Sequence, residues 1–198
     1  MTKRHEPGDP PGDSGRSVLW RRLDQPGHEF CRLSHLPEGP VLDGTAVFVE
    51  EAAPVRLDYR IACDRAWRTV SARVEGCCGD RAVRCAIEVD GVRTWRLDGR
   101  EHPELAGLAD LDLGFSPSTN LLPVRRLALA VGESAAVTAA RLRLPDFALE
   151  RLDQVYRRTG PGRYRYGAAA YGYAAELELN AAGFVTRYPG LWALEARR

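Results

Sequence analysis

The sequence predicts a mostly β protein, a single domain whose antiparallel sheet bends back on itself. Three observations carry this. Apolar residues recur at every second position through most of the chain, Gly-, Pro- and Asn-rich turns separate the runs, and no long amphipathic helix is available to cover a sheet. A sheet with one apolar face must bury it, so this one has to curl into a roll, a barrel or a sandwich. Closed sheets of about eight strands fill their interior with side chains, and larger ones tend to leave space. An enclosed cavity and a filled two-layer sandwich are both compatible with the pattern.

The elements follow in order. Residues 1–16 are polar and rich in Pro and Gly, with no apolar segment, and are expected to form a disordered tail ahead of a domain spanning 17–198. Val55, Leu57, Tyr59, Ile61 and Cys63 share one strand face, with Arg56, Asp58 and Arg60 on the other. Val83, Cys85, Ile87 and Val89 repeat that pattern, and Asp90-Gly91 after them reads as a two-residue hairpin turn. Gly76 to Asp80, Gly160-Pro161-Gly162 and Asn180 to Gly183 mark further turns. Pro103 to Ala109 is the one helix candidate. Pro145 inside the run Val137 to Leu149 calls for an edge or a bulge. In all, about a dozen or more strands are expected.

Composition narrows the function. With 28 basic and 27 acidic residues the net charge is +1, so there is no general attraction to nucleic acid or anionic membranes. No apolar run approaches the roughly 18 residues of a membrane span. An odd count of five cysteines without a secretory signal implies reduced thiols and a cytoplasmic protein. Cys63, Cys77, Cys78 and Cys85 lack paired C-x2-C knuckles and the four histidines are dispersed, so no metal is expected. Phosphate-loop, dinucleotide and nucleophile-elbow motifs are missing, so neither a cofactor nor a catalytic residue is assigned.

The segment Leu108 to Val131 is the most informative. Asp110 and Asp112 share a face opposite Leu111, Leu113 and Phe115, although strand interiors usually avoid Asp. Ser116, Ser118, Thr119 and Asn120 form a polar turn, and Arg125 and Arg126 then open a second alternating run through Leu127, Leu129 and Val131. As a hairpin, this unit puts Arg126 beside the aspartates and Arg125 at the rim of the apolar face. Leu121-Leu122-Pro123 is too apolar for an exposed loop and should pack on the core or on an apolar ligand. Six of the seven tyrosines fall after residue 155 and alternate with arginines. They fit cross-strand aromatic pairs, and together with Trp67, Trp95 and Trp192 they also suit a sugar face. The neutral charge argues against a single-stranded nucleic-acid platform.

Several of these segments carry a family resemblance: Trp20 to Glu29, Leu57-Asp-Tyr-Arg60, Cys63 to Thr69, Ser71 to Gly76, Asp110 to Arg126 and Arg187 to Trp192. Over residues 18–195 the chain resembles bacterial proteins described as putative glycolipid-binding. The resemblance implies a strongly curved antiparallel β-roll or half-open barrel, similar to bacterial lipoprotein carriers, and a glycolipid-like amphiphile as partner. The reading that results favours binding over catalysis. Its candidate ligand-binding residues are Asp110, Asp112, Ser116, Thr119, Asn120, Arg125, Arg126 and Trp67. The alternatives are an enzyme acting on a small carbohydrate-like substrate through Asp110, Asp112 and Arg126, and a structural module in which that cluster locks a hairpin.

Overall fold

Where apolar residues alternate, strands form. The computed structural model describes residues 16–197; of the tail expected over 1–16, residues 1–15 lie outside them and Arg16 opens the first strand. The first eight strands are β1 (Arg16–Arg22), β2 (Gly27–Leu36), β3 (Gly39–Glu50), β4 (Ala53–Cys63), β5 (Thr69–Cys78), β6 (Arg81–Val89), β7 (Trp95–Leu97) and β8 (Arg100–Glu101). Next come β9 (Asp110–Leu113), helix α1 (Leu121–Leu127) and β10 (Ser134–Leu142). The last five are β11 (Leu149–Gly160), β12 (Arg163–Ala168), β13 (Tyr173–Leu179), β14 (Val185–Tyr188) and β15 (Trp192–Arg197). In β4 and β6 the alternation is as expected, with Val55 through Cys63 and Val83 through Val89 buried at every second position.

All fifteen strands belong to one sheet, in the order β8 to β1, then β15 to β9. The first and last strands meet in the middle, while the middle of the sequence supplies both edges. Flat, such a sheet would be about 67 Å wide at ~4.8 Å per strand. Yet Glu101, ending β8, and Asp110, opening β9, are only nine residue steps apart, a reach of about 30 Å fully extended. The edges must therefore approach each other, and the sheet must curl.

Specific bonds fix the β9 edge against β5, three strands in from β8. The Thr69 amide donates to the Ala109 carbonyl (2.9 Å), and the Leu111 amide donates to the Thr69 hydroxyl (3.0 Å). Arg93 adds a four-bond clasp, its guanidinium donating to the carbonyls of Thr69, Leu108 (twice) and Ala109 at 2.6–3.1 Å. These bonds come from side chains and loops, not from a strand ladder, and the sheet is curved without closing into a barrel.

Three local expectations are corrected. Residues 108–131 are not a hairpin: β9 pairs in parallel with β10, and the connection carries α1. Leu121, Leu122, Pro123 and Val124 are all buried, and a short run that is apolar on every side suits a buried helix as well as a strand. Pro123 is tolerated there because first-turn amides need no intrahelical acceptor. Leu127 ends the helix, Ala128 caps it in the left-handed region, and Val131 is exposed. At Asp90 the turn has five residues, because Val89 pairs with Trp95 and Arg93 takes the left-handed conformation. The Asp90 carboxylate accepts from the Val92 and Thr94 amides and so organises this longer loop. Finally, 103–109 holds only a single 3-10 turn, at Pro103–Leu105.

Candidate functional site

Register places the inner face of the second half of the sheet. Asp112 lies opposite Arg141, and Arg141 opposite Glu150; Asp110 lies opposite Ala139, and Ala139 opposite Leu152. Directly opposed residues share a face, so both aspartates point inward, away from Leu111 and Leu113. The same face continues through Gln154, Tyr156 and Tyr166.

The two aspartates nevertheless have different surroundings. Asp110 is 1% exposed and is held by Arg126 in a two-bond fork, Nε to Oδ1 at 3.0 Å and Nη2 to Oδ2 at 2.6 Å. The expected Asp–Arg pairing exists, although Arg126 arrives on α1 and not on a second strand. Asp112 opens instead into a cleft of about 290 Å3, shared with Ser116, Asn120, Arg141, Tyr166, Tyr171, Tyr173, Tyr188 and Trp192. That volume falls at the lower end of small-molecule pockets, which run from about 300 to 1,000 Å3.

Aromatic packing forms the walls. Tyr166 contacts Tyr156, Tyr173 and Tyr188 with ring centroids 5.0–6.2 Å apart, and Tyr173 contacts Tyr188 at 5.5 Å. At the floor, Gln154 Nε2 donates to both Asp112 Oδ2 and the Tyr166 hydroxyl, each at 3.0 Å, and the Tyr156 hydroxyl donates to Asn120 Oδ1 at 2.9 Å. Arg141 stands 3.9 Å from Asp112, is shared with Glu150, and lies over the Tyr171 ring at 4.2 Å. Burial pushes the Asp112 carboxyl above the usual range, with Arg141 and Gln154 pulling it partly back. Burial likewise raises Tyr166, Tyr173 and Tyr188, so their hydroxyls remain protonated donors at neutral pH.

A second polar cluster adjoins the cleft at Ser116. Glu29, fully buried on β2, accepts from the Tyr59 hydroxyl (2.6 Å) and from Ser116 (2.5 Å) through Oε1, while Oε2 has no partner among the described residues. The Ser118 hydroxyl lies within hydrogen-bond distance of the Tyr59 oxygen, which can accept from it, and of the Ser116 hydroxyl. Burial drives the Glu29 pKa up to about 8. Gly44 makes this possible, since a Cβ there would lie 2.3 Å from the Tyr59 ring.

Of the expected site residues, the cleft collects Asp112, Ser116 and Asn120. Thr119 is buried nearby and works locally, its hydroxyl accepting from the Leu113 amide. Asp110 and Arg126 bond each other outside the cleft lining. Arg125 and Trp67 lie elsewhere, the guanidinium 5.7 Å from the Trp67 ring centre. Sequence reasoning passed over Arg141, Gln154 and Glu29. Glu29 had a signal, because strand alternation gives it the same side as the buried Cys31 and Leu33.

Comparisons with known proteins bear on this site. The sequence model of the family described as putative glycolipid-binding matches residues 17–193. The chain belongs to this family. A crystal structure of a DUF1089 family protein from Pseudomonas aeruginosa is similar to this putative glycolipid-binding family member, with a TM-score of 0.73 and 25% identity over 98% of each chain. No curated protein matches the chain. Among the described residues of this family member, no group of three or more His, Cys, Asp or Glu side chains could hold a metal ion. No described helix is long and apolar enough to cross a membrane.

Proposed function

We propose that the protein binds an amphiphile, with a sugar-like headgroup in the tyrosine cleft and an alkyl chain along the adjoining outer groove. The observation that carries this reading is the cleft's combination of aromatic walls with hydroxyl, amide and carboxylate groups around Asp112. Aromatic faces cover the apolar faces of a sugar ring, and tyrosine hydroxyls and Asn120 supply donors and acceptors for its hydroxyls. The volume suits one such ring and leaves no room for an acyl chain.

A path for that chain begins at the cleft margin. Ala168 and Tyr173 also line a groove of about 440 Å3 across the outer face of β10 to β13. There Ala136, Val155, Gly167 and Ala174 stand directly opposite one another across four strands. A Cβ at Gly167 would come no nearer than 3.9 Å to any atom outside its immediate neighbours, so glycine there deepens the groove. Methylenes buried along such a surface contribute up to ~0.8 kcal/mol each.

Binding is favoured over glycoside hydrolysis by the fate of the two aspartates. A hydrolase needs two carboxyl groups flanking its substrate, and here Asp110 is bound up with Arg126. The test is isothermal titration of n-octyl glucoside below its micelle concentration, with native mass spectrometry of freshly purified protein. Saturable binding at least tenfold weaker in Asp112→Asn and Tyr188→Ala is expected. A heat signal with no saturation, together with protein free of co-purifying lipid, would sink the proposal.

A further inference from the structure

A second pocket, of about 430 Å3, lies at the other end of α1 and shares no residue with the tyrosine cleft. Its lining includes Arg125, Arg158, Tyr164, Asn180 and Gly183, and no Asp or Glu. Neither guanidinium joins an ion pair among the described residues. Both Nε atoms are buried without a hydrogen-bond partner there. Arg158 uses one Nη on the Leu129 carbonyl at 2.8 Å. Its remaining donors, and those of Arg125, have no partner among the described residues.

This is unusual because partly buried arginines normally meet a carboxylate or several carbonyls. Arg93 and Arg126 of this same chain follow that rule. Each pocket arginine is instead braced on an aromatic ring, Arg125 over Trp67 at 5.7 Å and Arg158 over Tyr164 at 6.0 Å. Glycine at 183 keeps the wall open, since a Cβ would sit 2.7 Å from Leu121 Cδ1 and 3.3 Å from Arg125 Nε. Arg16 adds positive charge, and burial together with that charge pushes the Arg125 pKa down. A helix C-terminus accounts for one cation at this place. It does not account for two held in a pocket without a counter-charge.

We infer that Arg125 and Arg158 form an oxyanion site that takes a phosphate group, with Tyr164 and Asn180 supplying further polar contacts. Planar guanidinium forks match phosphate oxygens in pairs, and a dianion would supply the counter-charge that the pocket lining lacks. The inference is independent of the sugar cleft, so either can fail alone.

Calorimetric titration with inorganic phosphate, against sodium chloride at matched ionic strength, tests it on the full chain. Saturable one-to-one binding is expected, at least tenfold weaker in Arg125→Gln and in Arg158→Gln. Arg84→Gln, on an arginine whose side chain is 84% exposed on β6, should bind as the parent does. If Arg125→Gln fails to fold, Arg158→Gln and the charge-preserving Arg125→Lys decide. Absence of saturable binding, or equal affinity in the folded variants, overturns the site. Co-sedimentation with phosphatidylcholine vesicles, with and without phosphatidic acid, separates the sources. Capture that needs phosphatidic acid and both arginines assigns a lipid headgroup, and phosphate binding without capture assigns a free phosphate ester.

Discussion

Two carboxyl groups show how burial sets the role of a single residue. Asp110 is met by Arg126 with two bonds, and removing one partner strands the other. Arg126→Ala should therefore cost about 2–4 kcal/mol in urea unfolding, near the range for breaking a buried pair and reduced because Arg126 is partly exposed. A variant within 0.5 kcal/mol of the parent would show that the fork contributes little. Glu29 takes the opposite course: buried and half-satisfied, its pKa is about 8 against an ordinary 4.5. The folded state then holds a proton the unfolded state has lost between those values, so stability falls as pH rises from 4.5 to 8. The maximal slope is about 1.4 kcal/mol per pH unit. Glu29→Gln removes this dependence, and its urea midpoint should change much less than the parent's between pH 5 and pH 8. Parallel pH profiles for the two proteins would refute a neutral Glu29.

At the scale of elements, α1 is a seven-residue helix that no isolated peptide would form, since nucleation alone makes short helices marginal. Packing holds it. Leu122 is fully buried, and Leu122→Ala should lose about 2–5 kcal/mol by guanidinium denaturation. Because Asn120 caps this helix and Arg125 lies within it, the same variant should weaken ligand binding in the cleft and in the arginine pocket together. A variant with parent-like stability would mean that the helix is held some other way. This element also marks the limit of what the sequence made legible. The strands of β4 and β6 were readable because a period of two admits one interpretation. Leu121 to Leu127 was not, because a short apolar run has no period to resolve and Arg126 alternates with Ala128 as it would in a strand. The Asp110–Arg126 partnership was nevertheless anticipated, since opposite charges within 16 residues find each other on either backbone path. The tyrosines after residue 155 were visible as a cluster. Their convergence on Asp112 was not, because it depends on which strands β9 and β10 pair with across long sequence separations.

For the whole molecule the decisive fact is the strand order, which places both sheet edges at the middle of the chain and ties them through residues 102–109. Curvature needs no special residue pattern under that constraint, since a connection reaching about 30 Å cannot span a flat sheet about 67 Å wide. Curvature brings the β9 edge near β5 but does not lock it there, and Arg93 does that. Its four bonds go to carbonyls on both sides of the gap, and Trp95 Nε1 donates to one of the same carbonyls, that of Leu108, at 3.1 Å. Hydrogen bonds from a charged donor are worth about 1.5–3 kcal/mol each when buried, less when solvent can replace them. Arg93 is partly exposed, so Arg93→Gln should cost about 2–3 kcal/mol in total, not the sum of four bonds. The more telling readout is local. Amide exchange at Thr69 and Leu111, which cross the gap, should accelerate in the variant well before exchange at the β1–β15 seam, where Trp20 is anchored by the Val185 carbonyl at 2.6 Å. Uniform acceleration across both regions would mean that the two edges open only with the whole fold, and that the clasp is not a separate unit of stability.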